Sequence, residues 1–209
     1  RALQVVVERH DALRSNLAPG GMALCVRTMS PLSMEVFDLA GLATTAAERA
    51  LSERLKHSVG TPFNLATDEL FRAELLRLGE SEHILVLTAH HVICDGWSWW
   101  VIVRELGVLY GKERGLSAVE LSDPVSFADF ALHEASGNAS SQHGADAVFW
   151  QSRYEPSVPV LELPTDRPRP PVRSFASARL DHTVDEDLLA GLRRAGSRRG
   201  ASLFATLLA

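Results

Sequence analysis

His83-Ile84-Leu85-Val86-Leu87-Thr88-Ala89-His90-His91-Val92-Ile93-Cys94-Asp95-Gly96-Trp97-Ser98 is the stretch whose reading decides the fold. The continuous apolar run Ile84 to Leu87 is the pattern of a strand buried on both faces. From Ser98 to Tyr110 the pattern is that of an amphipathic helix, so the stretch predicts strand, turn, helix. Two adjacent histidines on a strand point to opposite faces. One then faces the core, fixed by hydrogen bonds, and the other faces a cleft. Gly96 permits a tight turn that brings backbone N–H groups close to a bound group.

Working outward, Phe71 to Leu78 reads as a strand joined to His83–Ala89 by a hairpin at Gly79-Glu80-Ser81. Apolar residues at helical spacing (Leu3, Val6, Val7, Leu13, Leu17) predict a helix over 2–17, stopped by Pro19-Gly20-Gly21. Two β-like runs, Ala23 to Thr28 and Met34 to Leu39, precede a helix over 44–58, which Thr61-Pro62-Phe63 breaks. Helices are expected over 124–136 and 145–155 with a polar loop, 136–144, between them. Pro164 to Pro171 is an extended connector, Ala176 to Val184 a further strand, and Asp185 to Arg194 and Leu203 to Leu208 are helical. This order predicts an α/β sandwich, with helices on a mostly antiparallel mixed sheet.

The bulk numbers exclude several classes. A chain of 209 residues that is 46% hydrophobic and 22% charged can bury a core. A net charge of −5 argues against a nucleic-acid or anionic-membrane surface. The one basic run, Arg193, Arg194, Arg198 and Arg199, reads as a solvated face. No apolar stretch reaches the ~20 residues of a membrane span. No signal peptide is expected, and Cys25 and Cys94 form no metal or redox motif, so a reduced cytoplasmic setting is expected. Neither end reads as a natural terminus, so the sequence is expected to be a piece of a longer chain.

Other chemistries fit the histidine turn poorly. A zinc site built from His90, His91 and Asp95 lacks both an HExxH pattern and a cysteine pair. Ser98 lacks the G-x-S-x-G elbow of a hydrolase nucleophile. Most strand histidines are structural, and the residues alone leave that reading level with a functional one.

Wider context decides it. His90-His91-x-x-x-Asp95-Gly96 resembles the HHxxxDG signature of nonribosomal peptide synthetase condensation domains. Arg9-His10-Asp11-Ala12-Leu13-Arg14-Ser15 resembles the family's early RHExLRT motif, with Asp for Glu and Ser for Thr. Pro62-Phe63-Asn64-Leu65 with Leu70-x-Arg72-x-x-Leu75 resembles its PFDL…LxRxxL segment. Phe127-Ala128-Asp129-Phe130-Ala131 resembles YxDFA, with Phe for Tyr. Phe149-Trp150 and Leu163-Pro164-Thr165-Asp166-Arg167-Pro168-Arg169-Pro170 resemble YW…LPTDRPRP. These segments keep the family's order and spacing along nearly the whole chain.

The resemblance implies a chloramphenicol acetyltransferase-like fold of two lobes with the active site in a tunnel between them. Residues 1–170 would form the amino-terminal lobe, and 171–209 the connector and the start of the second. The activity implied is amide bond formation between a donor acyl or peptidyl thioester and an acceptor aminoacyl thioester. Both ride on 4′-phosphopantetheine arms of carrier-protein domains, with an adenylation domain adjacent and no cofactor bound by the domain itself. His91 matches the catalytic position, as general base or positioning group, and His90 is supporting. Asp95 turns away from the tunnel and pairs with Arg9 or Arg14. Gly96 lets the donor arm pass close to the backbone. Trp97, Trp99, Trp100 and Trp150 are packing or tunnel-wall residues.

Four alternatives share the fold. An epimerization domain is disfavoured by the early motif and by Asp95-Gly96-Trp97-Ser98. A heterocyclization domain would carry aspartate in place of the histidines. A catalytically dead recruitment domain would lose the second histidine or the glycine. A stand-alone acyltransferase would not carry the Leu163–Pro170 connector. Ile93 to Trp99 resembles condensation domains of mixed polyketide–peptide lines. The 209-residue piece by itself is expected to be inactive.

Overall fold

The computed structural model describes residues 1–28, 31–116, 118–137, 141–172 and 178–209. It divides into two compact units, Arg1–Ser157 and Val158–Ala209.

The first unit is built on a mixed sheet. Strand β3 (Met34–Asp38) runs parallel to β4 (Phe71–Arg77), which pairs antiparallel with β5 (His83–Ala89). Phe71 sits opposite Ala89 and Arg77 opposite His83, so the hairpin register carries the chain out of β5 directly beside the start of β4. A separate antiparallel pair, β1 (Ser15–Leu17) and β2 (Leu24–Val26), turns at Ala18 to Gly21, where the Gly21 N–H donates to the Ala18 carbonyl at 2.9 Å. Gly20, at φ 93°, takes the left-handed position that follows a proline in such a turn.

Helix α1 (Ala2–Arg9) buries Leu3, Val6 and Val7 in a core shared with Leu70, Phe71, Ala73, Ile93 and Ile102. Ile102 comes from α3 (Gly96–Glu113), which packs against α1. Phe71 and Val6 are 2% and 0% exposed, and burying side chains of this kind contributes about 1.5–3 kcal/mol each. Helix α2 (Thr44–Gly60) is tied to the sheet by charge. Arg54 Nε donates to Glu74 Oε2 at 2.7 Å while its guanidinium lies 3.9 Å over the Phe37 ring. Helices α4 (Phe127–Gly137) and α5 (Ser141–Tyr154) complete the unit. In the second unit α6 (Glu186–Ser197) contacts α7 (Leu203–Leu208).

Several expectations need correction. The helix expected over 2–17 ends at Arg9. A single 3₁₀ turn, Asp11–Arg14, follows, and Ser15–Leu17 is a strand. Ladder bonds to β2, and Asp11's role described below, outweigh the helical spacing. Strand β5 is not buried on both faces. It is an edge strand of the three-stranded sheet, and Leu85 is 38% exposed. The fully buried positions, Phe71 and Leu76, belong to the central strand β4. Residues 178–184 carry no strand, and the rest of that expected strand, like 138–140 of the polar loop, lies outside the described residues.

Candidate active site

Strand β5 ends at Ala89, so His90 and His91 do not alternate across a strand. They occupy the turn that leads into α3. The His90 backbone N–H donates to the Leu70 carbonyl at 2.9 Å, which ties the turn to the residue preceding β4. Its ring Nδ1 accepts the Val92 backbone N–H at 3.1 Å, and its carbonyl accepts from Ile93 at 3.0 Å. His90 is partly buried edge-to-face with Phe63, ring centroids 5.9 Å apart. His91 is exposed, and among the described residues its imidazole makes no hydrogen bond or ion pair. A turn, and not strand alternation, leaves one imidazole held and the other exposed.

Ile93 and Cys94 then drop into the core, 7% and 6% exposed, which anchors the far side of the turn. Burial pushes the Cys94 thiol up from its ordinary value, so it is held neutral.

The expected pairing of Asp95 with an arginine is not the one in the structure. Asp95 is the exposed N-cap of α3. Its Oδ1 accepts from Ser98 N at 2.8 Å and from Ser98 Oγ at 2.7 Å, while Ser98 Oγ accepts from Asp95 N at 3.1 Å. This is a reciprocal capping box. The backbone and hydroxyl donors of Ser98 hold the Asp95 carboxyl below the usual carboxylate range. Gly96 has no positive φ, and a Cβ there would meet nothing within 4 Å among the described residues. The chain itself therefore does not require glycine at the start of α3.

Arg9 and Arg14 are used elsewhere. Arg9 Nε donates to Glu105 Oε2 at 3.1 Å, and its other arm donates to the Ser122 carbonyl. His10 Nε2 lies 2.9 Å from the same carboxylate oxygen. Burial raises the Glu105 carboxyl, but the bonds from His10 and Arg9 outweigh it and hold it below its ordinary value. Asp11 reaches across the fold to cap α4. Its carboxylate accepts from Ser126 Oγ (2.7 Å), Phe127 N (2.8 Å) and Ala128 N (3.1 Å). Three consecutive residues thus fasten α1 to α3 and to the first turn of α4. Arg14 Nη1 donates to the Arg27 carbonyl at 2.8 Å and braces the β1–β2 pair, with its Nε buried and without a partner among the described residues.

Glu105, 5% exposed, is a residue that the sequence reading missed. Its signal was a lone acid on the apolar side of an amphipathic helix, 95 and 96 residues from the side chains it binds.

The tryptophans separate. Trp99 packs on the core, its ring 6.4 Å from that of Phe71. Trp97 and Trp100 are 80% and 74% exposed, so they are not packing residues within this unit. Trp150 is 59% exposed, with Phe149 at its ring edge, so it is not a core aromatic either. A cleft of about 390 Å³ opens between the early motif and α3, lined by His10, Leu13, Trp97, Ser98, Val101 and Glu105 among others. His91 lies outside its lining, on the exposed surface.

An exposed imidazole thus sits on a turn clamped at both ends, fed by a hairpin strand and followed by a capped helix. The matching family is Condensation domain, over residues 1–209. The chain belongs to this family. The condensation domain is 34% identical over 214 residues to a chondramide synthase of Chondromyces crocatus, which it matches along 100% of its own length and 5% of the synthase's. It is 35% identical over 216 residues to a linear gramicidin synthase of Brevibacillus parabrevis, again along 100% of its own length and 4% of that synthase's. Among solved structures, SgcC5 from Streptomyces globisporus superposes with a TM-score of 0.71 at 29% identity, covering 97% of this chain and 46% of that one. The condensation domain therefore spans a few per cent of its synthetase relatives and about half of the superposed structure.

Proposed function

We propose that this chain supplies the histidine-bearing lobe of a condensation domain that joins a donor acyl or peptidyl thioester to an acceptor amine. Both substrates are carried on phosphopantetheine arms of carrier-protein domains in a nonribosomal peptide assembly line. The observation that carries the reading is the geometry of residue 91. The residue is exposed and, among the described residues, its imidazole makes no hydrogen bond or ion pair, on a turn fixed by Leu70, Val92 and Ile93.

The chemistry asks little of the protein beyond position. The acceptor amine attacks the thioester carbonyl carbon, the C–N bond forms, and the C–S bond breaks to release the donor arm as a thiol. An amine nucleophile must lose a proton on the way. A neutral imidazole at residue 91 takes that proton or orients the amine. A thioester is already activated, so most of the acceleration comes from holding two tethered reactants together. Gly96 fits this scheme. With open space where a Cβ would stand, it leaves room for an arm to run along the start of α3.

Arg9, which binds Glu105 on α3, and Asp95, which caps α3, serve as braces and not as acids or bases, whereas Arg14 braces the β1–β2 pair. Trp97 lines the 390 Å³ cleft beside α3, and its role as a tunnel-wall residue belongs to the same proposal. The lobe assignment, 1–170 and 171–209, and an adjoining adenylation domain belong to the same proposal. So does inactivity of the 209-residue piece, since the related structure SgcC5 is about twice as long. The length of the synthetase relatives supports an assembly-line setting over a stand-alone acyltransferase.

The test uses the complete domain with a donor carrier bearing an acyl arm and an acceptor carrier bearing an aminoacyl arm. Mass spectrometry of the acceptor arm should show it heavier by the donor acyl group. An acceptor arm of unchanged mass, or one changed only in stereochemistry, contradicts the proposal.

A further inference from the structure

The turn that carries His91 rests on a stack of three side chains from separate parts of the sequence. Arg72, on β4, lays its guanidinium 3.8 Å over the centroid of the Phe63 ring. The same guanidinium donates to the Thr61 carbonyl at 3.0 Å and the Pro62 carbonyl at 2.9 Å, so it locks both the ring and the backbone that leads into it. Asp68 Oδ2, at 3.5 Å, is its carboxylate neighbour. Phe63 also meets the His90 ring edge-to-face, 83° between planes. Phe63 is itself partly buried against the core.

His90 is the point of leverage. Its Nδ1 accepts the N–H of the peptide joining His91 to Val92. A nitrogen that accepts carries no proton, so His90 is the neutral tautomer with hydrogen on Nε2. The peptide it grips is the one that sets the direction of the His91 side chain. If the His90 ring rotates or changes tautomer, that amide is released, and His91 turns on a loosened backbone.

We infer that Phe63 and Arg72 are positioning residues for His91, acting by holding the His90 ring in the orientation and tautomer that pin the amide between residues 91 and 92. A cation over one ring face and an aromatic edge contact are modest interactions individually. Here they are in series with two backbone bonds, and a small rotation of His90 moves the reacting imidazole. Part of this inference rests on the reaction proposed above; the state of His90 does not.

The experiment therefore takes two readings from the complete domain. The first is kcat and KM for amide formation between loaded carriers. The second is the Nδ1 resonance of His90 in protein labelled with nitrogen-15 at histidine, assigned by its loss in His90→Asn. In the unaltered domain Nδ1 should report an unprotonated acceptor. In Phe63→Leu kcat should fall about tenfold with KM unchanged, as expected when orientation and not binding is lost, and the Nδ1 signal should move towards mixed tautomers. Phe63→Tyr, which keeps the ring, should restore both. A wild-type kcat or an unmoved resonance in Phe63→Leu overturns the inference, as does equal loss in Phe63→Tyr. Should the leucine variant not fold, Arg72→Gln, which leaves the ring in place, is judged by the same two readings. If the unaltered domain makes no amide, the reaction assignment fails, and the nitrogen resonance still decides the tautomer.

Discussion

His10 Nε2 lies 2.9 Å from Glu105 Oε2, which joins the end of α1 to the middle of α3 through a carboxylate that is 5% exposed. Arg9 binds the same oxygen, so one acid answers two donors. Removing it leaves a guanidinium and an imidazole facing a partly desolvated gap. Glu105→Ala should cost about 2 kcal/mol, below the 3–5 kcal/mol of a fully buried pair because Arg9 keeps some solvent contact. Chemical denaturation of the complete domain checks this. A change within about 0.5 kcal/mol, typical of a surface site, would show that the cluster is not structural.

Acid should unfold the domain through the same kind of group. Burial raises Asp11, Glu74 and Glu105, but donors from α4, from Arg54 and Ser58, and from His10 and Arg9 outweigh it. All three lie below their ordinary values of 3.8, 4.5 and 4.5. A carboxyl with a depressed folded value stabilises the fold above its unfolded value, and that contribution disappears as pH falls through the folded one. The melting temperature should therefore hold steady from neutrality to about pH 5 and drop below that. Glu105→Gln should flatten part of the drop. A profile in which stability improves on acidification would reverse the sign and contradict this account.

Two glycines of α6 make a contrasting pair. A Cβ at Gly196 would collide with Thr206 Oγ1, whereas one at Gly191 meets nothing within 4 Å. Gly196→Ala should destabilise by about 1–3 kcal/mol through overpacking, and Thr206→Ala in the same chain should recover most of it. Gly191→Ala should be neutral or stabilising by up to about 1 kcal/mol from helix propensity. Thermal melts of the four proteins decide. Equal effects at 191 and 196 would mean that the α6–α7 contact is not as described.

Gly96 separates fold from function. Its backbone needs no glycine, and its missing Cβ is answered by open space. Gly96→Ala should leave the melting temperature in place and lower amide formation at least tenfold, as expected when a bound arm is displaced. A large loss of stability would return Gly96 to a structural role, and full activity would remove the arm from this surface.

Much of the architecture was legible. The hairpin of β4 and β5 followed from two apolar runs around Gly79-Glu80-Ser81, and α2 and α7 from composition and spacing. Local pattern failed where a distant partner decides. Asp11 leaves the helical pattern to cap α4, more than a hundred residues on, and Ser15–Leu17 joins a ladder. Glu105 was invisible because its donors are remote in sequence. Asp95 teaches the opposite lesson. The Asp-x-x-Ser spacing at the start of α3 already spelled a capping box, and the resemblance drew attention to remote arginines instead. The two histidines were read as one held and one facing a cleft; the structure holds His90 and leaves His91 exposed outside the lining of the cleft beside α3, and the strand alternation used to argue it ends at Ala89.

The most direct measurement is a single turnover of His91→Ala in the complete domain, with both carriers loaded and the melting temperature recorded beside it. The account predicts an unchanged melt, since the exposed ring makes no hydrogen bond or ion pair among the described residues, and a rate of amide formation at least a hundredfold lower, the scale of a lost acid–base group. A variant that forms amide at the unaltered rate would contradict the central claim that this exposed imidazole is where the two substrates meet.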